Sequence, residues 1–135
     1  MTACGDNQDP PGAGDLWSRL ESKSYRSYRR APGYESRRKS NAPHGNEVEI
    51  FVNEAIGKTL DGPKGASTFP DGSLIVKEGY AGDTLELVAV MEKRNGEWYW
   101  AEYDASGAAK YSGKPSVCIN CHSSGSDFVR AFSLP

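Results

Sequence analysis

Hydrophobic residues near the start of the chain recur at the spacing of an amphipathic helix. These apolar positions are Leu16, Trp17, Leu20 and Tyr28. Asp15 lies before them and is placed to cap the helix, which we expect to end near Arg30, before Ala31-Pro32-Gly33. Residues 34–43 are predicted to form a loop. The pattern therefore predicts one N-terminal helix followed by irregular chain.

From residue 44 onward the apolar positions alternate, which is typical of strands. Turn sequences separate the alternating segments, and Asn95-Gly96 between the last two predicts a hairpin. The predicted strands are residues 48–53, 73–78, 84–93 and 97–103. Asn53 is placed to cap a short helix over residues 54–60, and residues 104–117, which have no periodicity, are predicted to be a surface connection. Strands joined by short turns predict an α+β domain built on an antiparallel sheet.

The composition limits the chain to one domain. It has 135 residues, 37% of them hydrophobic and 25% charged, which suffices for one core but hardly for two. Apolar runs of only a few residues predict no transmembrane helix. We expect a single domain over residues 15–135, preceded by a flexible tether over residues 1–14 that is rich in Pro, Gly and Asp.

Charge is distributed unevenly along the chain. Residues 19–39 hold eight basic groups and two acidic ones, whereas residues 40–135 hold eight basic and thirteen acidic groups. Basic residues interleaved with tyrosines could follow a nucleic-acid backbone. The simpler interpretation is a solvated helix face that balances an acidic body. Because no nucleic-acid-binding motif accompanies the segment, we expect no nucleic-acid partner.

The first of the three cysteines has small neighbours. Met1-Thr2-Ala3-Cys4-Gly5 looks like the end of a bacterial lipoprotein signal, in which small residues precede the cysteine that becomes lipidated. On this hypothesis Cys4 carries a lipid anchor and the tether connects it to the domain. The alternative is an ordinary disordered N-terminus.

The other two cysteines belong to the most specific motif of the chain. Cys118-Ile119-Asn120-Cys121-His122 has the spacing of a c-type haem attachment site. Two residues between the cysteines let both thiols reach the vinyl groups on one porphyrin edge, and the adjacent histidine then lies beneath the iron. We therefore predict one covalent haem c, held by Cys118 and Cys121 with His122 as axial ligand. Attachment of this kind implies a bacterial periplasm or cell envelope.

Two other chemistries remain possible for this motif. A zinc site needs four ligands, and only Cys4 and His44, both in remote segments, could complete it. A redox-active dithiol favours a cysteine pair that opens a helix after a strand of a parallel sheet. Here the pair is predicted to follow an irregular loop in an antiparallel domain.

The order of motifs along residues 34–132 resembles the cytochrome P-460 family, which includes the β-type cytochromes c′. The residues that carry the resemblance are Pro43-His44-Gly45, 48–53, 69–78, 90–93, 96–100, 118–122 and Asp127. The resemblance implies a sheet packed over a haem, with a few helices. It also implies either gas binding or oxidation of hydroxylamine or nitric oxide, the latter with a lysine cross-linked to the haem. A homodimer is a further implication.

The residues facing the iron would decide between these functions. Lys77 shares a strand face with Ser73 and Ile75, and its distance from Phe69-Pro70-Asp71-Gly72 resembles that of the cross-linking lysine; the alternative is a lysine paired with a neighbouring acid. His44 could close the iron as a second axial ligand, as in an electron carrier. Met91 is either a ligand or, more simply, core, on the strand face of Leu85, Leu87 and Ala89.

Three functions therefore remain at this point: a haem protein with an open site for small ligands, an oxidase, and an electron-transfer cytochrome. We favour the open or weakly occupied site, because a sheet over the haem offers few strong ligands. Whether the chain is an enzyme is left open. A redox partner protein and a small-molecule ligand are the expected partners.

Overall fold

The computed structural model describes residues 8–41 and 43–135, and its strands form one antiparallel sheet. The described strands are β1 (Arg29–Arg30), β2 (Arg38–Lys39), β3 (Glu47–Val52), β4 (Leu74–Ala81), β5 (Thr84–Arg94), β6 (Glu97–Asp104) and β7 (Ala109–Gly113). The helices are α1 (Pro10–Leu20), α2 (Glu54–Asp61) and α3 (Ser116–His122), with a 3-10 turn at Ser24–Ser27. The strand order is β1-β3-β4-β5-β6-β7, and β2 pairs with β3. The α+β class with an antiparallel sheet is confirmed.

Two local signals in the sequence produce the predicted structure. Asn95 and Gly96 both have positive φ, 52° and 81°, the conformation that lets a two-residue turn join β5 to β6. Asn53 caps α2, because its side chain accepts a hydrogen bond from the backbone N–H of Ile56 at 3.4 Å. The hairpin and the short helix are therefore as predicted.

The two faces of the sheet bury different cores. The helix-side core packs α1 against the sheet; it includes Leu16, Leu20, Tyr25, Phe51, Leu74, Val76, Val88, Val90, Tyr99 and Tyr103. The cavity-side core lies on the opposite face, against α2, α3 and the C-terminal residues; it includes Val48, Ile50, Val52, Ile56, Phe69, Ile75, Met91, Trp98, Trp100 and Phe132. Alternating residues of each strand thus enter opposite cores, as the pleat requires.

The N-terminal helix differs from the prediction at both ends. Asp9, not Asp15, is the cap, and its carboxylate accepts a hydrogen bond from the N–H of Gly12 at 3.2 Å. Two prolines, which we expect in the tether, instead occupy the first helical positions, where proline is well tolerated because its missing N–H has no partner in the first turn. Residues 8–14 therefore belong to the folded part, whereas residues 1–7, including Cys4, lie outside the described residues.

The helix also ends earlier than expected, at Leu20 instead of near Arg30. Lys23 takes a left-handed conformation with φ of 59°, which reverses the chain into the 3-10 turn. Tyr28, expected on the apolar helix face, is 36% exposed. The chain then enters β1, a two-residue strand that pairs with the end of β3.

Short edge strands were missed because they lack alternation. The segment predicted as a surface connection contains β7, which pairs with β6, and the predicted loop over residues 34–43 contains β2. In β5 a register shift opposite Gly79 and Tyr80 places Leu85 against the helix-side core. The expectation that Leu85 shares the face of Met91 is therefore wrong.

Much of the basic segment is paired with acids of the sheet. Arg19 pairs with Glu92, and Arg26 pairs with Glu78. Arg30 and Arg37 both contact Glu49, at 2.8 and 2.9 Å. This pairing agrees with the interpretation of a basic segment that balances an acidic body. No helix in the described part of the chain is long and apolar enough to cross a membrane.

Candidate functional site

A cavity of about 230 Å³ separates α3 from the cavity-side face of β4, β5 and β6. Cys118, Cys121 and His122 line it from the α3 side. The apolar part of its wall consists of Ile75, Ala89, Met91, Trp100 and Val117. The polar part consists of His44, Lys77, Glu102, Lys110 and Tyr111. A wider groove of about 770 Å³ beside α2 contains none of the predicted site residues.

The two cysteines project from one face of α3. They are three residues apart, so a helix places their side chains side by side. They are not joined in a disulfide; Cys118 is half-buried and Cys121 is exposed. Only two residues separate the end of β7 from the start of α3, which corrects the expected irregular loop before the motif. The guanidinium of Arg130 donates to Sγ of Cys121 at 3.3 Å.

His122 is held in one orientation by two contacts. Its Nδ1 lies 2.9 Å from the carbonyl oxygen of Phe128. Because a carbonyl only accepts, Nδ1 carries the proton and Nε2 of the neutral ring keeps a lone pair. The ring also packs edge-on against Trp100, with centroids 4.8 Å apart.

The surroundings of His122 keep its imidazole neutral. Burial lowers the pKa of His122 to about 4, and the nearby positive charges of Lys77 and Arg130 act in the same direction, against the hydrogen bond to Phe128. At neutral pH the ring is therefore uncharged. A neutral imidazole with a free Nε2 is the form that binds a metal.

Lys77 enters the cavity from β4, on the same strand face as Ile75, as its alternation predicted. Desolvation lowers the pKa of Lys77, and the charge of Arg130 lowers it further. Within the described residues no carboxylate forms an ion pair with Lys77. The structure thus places Lys77 in the cavity, not in an ion pair with an acid of the described residues, and its role there stays a prediction.

His44 reaches the cavity from the loop that precedes β3. Its Nδ1 lies 3.0 Å from Oε1 of Glu102 on β6, although the pair lacks the alignment of a hydrogen bond. The loop lies directly on β4: a Cβ at Gly79 would be 2.1 Å from the carbonyl oxygen of His44. Gly45, with φ of 100°, makes the same close approach from the loop side. Both glycines are thus required for the position of His44.

Met91 and the large aromatic residues of the strands and loops lie on different faces of the sheet. Met91 lines the cavity and also belongs to the cavity-side core. Trp100 forms part of the cavity wall, whereas Trp98 and Phe69 pack in the core beside it. Phe51 lies on the opposite face, in the helix-side core. Cys4 lies outside the described residues.

Several residues of this region carry no sequence signal for a role in the site. Arg130 contacts Cys121, Glu102 contacts His44, and the carbonyl of Phe128 fixes His122. Each acts through a contact made only on folding, and Phe128 acts through its backbone. Asp127 was noted as part of the resemblance, but its contacts are visible only in the structure.

The donor set fits a haem of the c type. Two thiols on one helix face, a neutral imidazole whose Nε2 keeps its lone pair, and an apolar wall are present together. The cavity is smaller than the roughly 300–1,000 Å³ of most ligand pockets, so a porphyrin would keep part of its rim outside it. Among residues 8–41 and 43–135, no three His, Cys, Asp or Glu side chains are close enough to hold a metal ion by themselves.

No family model and no curated protein matches the chain.

Proposed function

We propose that this chain is a mono-haem c-type cytochrome of the cell envelope, similar to the cytochrome P-460 family, with an open or weakly occupied site for small ligands. Cys118 and Cys121 would hold the haem and His122 would be its axial ligand. When bound, the haem supplies an iron that changes between ferric and ferrous states and binds ligands of the CO, NO and hydroxylamine class. The haem iron would exchange electrons with a redox partner protein.

One observation carries it: both thiols of the motif and the imidazole line a single apolar cavity. Helical spacing alone would place the three groups side by side, but it would not require an apolar cavity between them and the sheet. The opposite wall is a strand face on which Ile75, Ala89 and Met91 leave few strong ligands. This asymmetry supports an open position on the side away from His122.

The chain's own groups have defined tasks in this proposal. Each cysteine S–H would add across a vinyl C=C, with sulfur joined to one carbon and hydrogen to the other, so the reaction consumes no oxidant. His122 would bind the iron through Nε2, because its Nδ1–H is committed to the carbonyl of Phe128. Trp100 and the aliphatic side chains of the wall would exclude water from a ring bound in the cavity.

The experiment is expression in a bacterial periplasm that contains the haem c maturation machinery. We expect a haem stain on denaturing gels and an intact mass raised by one haem. Cys118→Ser with Cys121→Ser should lose both signals, whereas Cys4→Ser, the matched control, should keep them. A wild-type chain without covalent haem under these conditions would refute the proposal.

Lys77 gives a second candidate function, an oxidase with a lysine–haem cross-link. The observation that favours it is a desolvated amine in the cavity without a carboxylate partner in the described chain, a condition that makes lysine nucleophilic. A cross-link should shift the reduced absorption bands strongly to the red, and Lys77→Ala should remove the shift. Superimposable ordinary bands would leave Lys77 unlinked.

His44 gives a third candidate, an electron carrier with two axial imidazoles. The observation in its favour is that His44 and His122 line the same cavity. In this case the ferrous protein should be low-spin and unchanged by CO. His44→Ala should then make it responsive to CO, whereas an unchanged spectrum in the variant would exclude His44 as the ligand.

A further inference from the structure

The chain after α3 forms a tight reversal with an unusual backbone. Ser126 and Val129 exchange two hydrogen bonds of 2.9 Å, which closes a turn around Asp127 and Phe128. Both central residues have positive φ, 47° and 66°. Glycine or asparagine usually occupies such positions, because a Cβ makes the left-handed region unfavourable.

This conformation costs free energy that other contacts must offset. A non-glycine residue in the left-handed region costs on the order of 1–3 kcal/mol, and such strain is concentrated at functional sites. Phe128 is also 38% exposed, so burial of its ring does not explain why it occupies the turn. The turn is therefore held by its neighbours.

Asp127 supplies the contacts that hold the turn. Its Oδ2 accepts hydrogen bonds from Nζ of Lys93 at 2.6 Å and from the N–H of Phe69 at 2.8 Å. Its backbone carbonyl accepts from Nε1 of Trp98 at 2.7 Å. The ion pair is nearly dry, with side-chain exposures of 3% for Lys93 and 8% for Asp127. Asp127 is thus fastened to β5, β6 and the chain before β4.

The next residue in the turn connects this anchor to the site. With Asp127 fixed, the carbonyl of Phe128 points at Nδ1 of His122. We propose that Asp127, anchored by Lys93, is a positioning residue that fixes the orientation and the Nδ1–H tautomer of His122. The role toward iron rests on the proposed function, whereas the role toward the imidazole does not.

The consequence for a bound iron follows from the hydrogen bond. A carbonyl that accepts from Nδ1–H makes the imidazole more basic and favours the ferric state. Loosening the turn should weaken the iron–histidine bond and raise the reduction potential. A merely structural role for Asp127 would change stability and leave both quantities as they are.

The test compares two variants that remove the buried charge pair. Asp127→Gly with Lys93→Met keeps a residue that tolerates positive φ but removes both hydrogen bonds made by the side chain of Asp127. Asp127→Asn with Lys93→Met keeps an acceptor for the N–H of Phe69 and also tolerates positive φ. Neither leaves a buried charge without a partner, the usual reason for failure to fold. Glu78→Gln is a control on the opposite face.

Resonance Raman spectroscopy and a redox titration provide the readout in the haem-loaded protein. We expect the glycine variant to show a lower iron–histidine stretching frequency and a higher potential, and the asparagine variant to return most of the way to wild type. Glu78→Gln should match wild type in both. A glycine variant with the wild-type frequency and potential would overturn the proposal.

A readout that needs no haem separates the two proposals. Nitrogen-15 NMR of the full chain should show His122 as a single Nδ1–H tautomer, and the glycine variant should show a mixture. A wild-type mixture like that of free histidine would overturn the positioning role. If the chain carries no haem but has the single tautomer, the proposed function fails and the positioning role stands.

Discussion

Two adjacent residues of β4 show how differently the faces of this sheet are built. Glu78 points into the helix-side core and is fully buried, yet it accepts hydrogen bonds from Tyr25 at 2.6 Å, Tyr80 at 2.7 Å and Arg26 at 2.8 Å. Lys77 points the other way, into the cavity, and forms no ion pair within the described chain. The carboxylate of Glu78 is thus fully hydrogen-bonded, whereas the ammonium of Lys77 faces the cavity.

The two faces differ in how their charged groups are satisfied. Buried atoms without a hydrogen bond occur on both faces of the described chain: Nη1 of Arg30 on the helix side, and Nδ1 of His44 and Oγ of Ser73 on the cavity side. Such atoms cost stability wherever they lie. The contrast therefore lies in the charges themselves, because the carboxylate of Glu78 has three donors, whereas the ammonium of Lys77 forms no ion pair within the described residues.

The largest expected effect is on the helix side. Glu78→Ala removes the acceptor of two buried hydroxyls and leaves a small void, so we expect a loss of about 3 kcal/mol in the free energy of unfolding. Denaturant titration measures it. Haem content should not change. A loss below about 0.5 kcal/mol would show that the network is not stabilising and would remove the contrast between the faces.

The stability that the Glu78 hydrogen bonds contribute should depend on pH at the acid end. Burial raises the pKa of Glu78, but its three donors outweigh burial and hold the pKa below its ordinary value. A depressed carboxyl pKa stabilises the fold above about pH 4.5 and loses this contribution as pH falls through the folded value. The difference between wild type and Glu78→Gln should therefore shrink below about pH 4.5. His122 titrates in both proteins, so its contribution cancels in the difference between their free energies of unfolding.

A somewhat smaller loss of stability is expected where the loop that carries His44 lies against β4. Gly79→Ala would place a Cβ 2.1 Å from the carbonyl oxygen of His44, so we expect a loss of about 2 kcal/mol and an outward shift of the loop. If His44 closes the iron, the variant should become responsive to CO. If the site is open already, the CO response should match wild type. Unchanged stability would contradict the close packing of loop and strand.

On the cavity side, removal of a charge should increase the free energy of unfolding. Lys77→Met replaces a desolvated cation without a carboxylate partner by an apolar chain of similar length, so the haem-free protein should gain about 1 kcal/mol. Thermal unfolding beside Lys77→Ala, which also removes the charge but loses volume, is the matched comparison. Destabilisation by Lys77→Met would mean that the ammonium has a partner on folding.

The smallest effect is expected far from both charges. Gly14 lies in α1, and a Cβ there meets nothing within 4 Å. Gly14→Ala should stabilise by about 0.5–1 kcal/mol through helix propensity and leave every property of the cavity unchanged. It serves as a control for changes in stability alone. Any change in ligand response would show that the two faces are coupled.

The sequence predicted what local signals determine. Asn95-Gly96 and the cap at Asn53 require only neighbouring residues, and the alternation around Lys77 assigned its face correctly. The cysteine motif was visible because its spacing is local. β7 was missed since an edge strand held by backbone pairing needs no apolar alternation.

Contacts between distant segments were beyond the sequence. The carbonyl of Phe128 contacts His122, and the neighbouring Asp127 binds Lys93, 34 residues away along the chain. The register shift that moved Leu85 to the other face depends on how β4 and β5 pair, which no single strand reveals. Such features follow from tertiary packing and require the structure.

The most direct test is one ferrous absorption spectrum of the periplasmic protein before and after addition of CO. We expect the ferrous protein to show the sharp bands of an ordinary haem c. These bands should change clearly when CO is added, because we propose that the position opposite His122 is open. No haem bands would contradict the attachment at Cys118 and Cys121. A low-spin spectrum that ignores CO would contradict the open site.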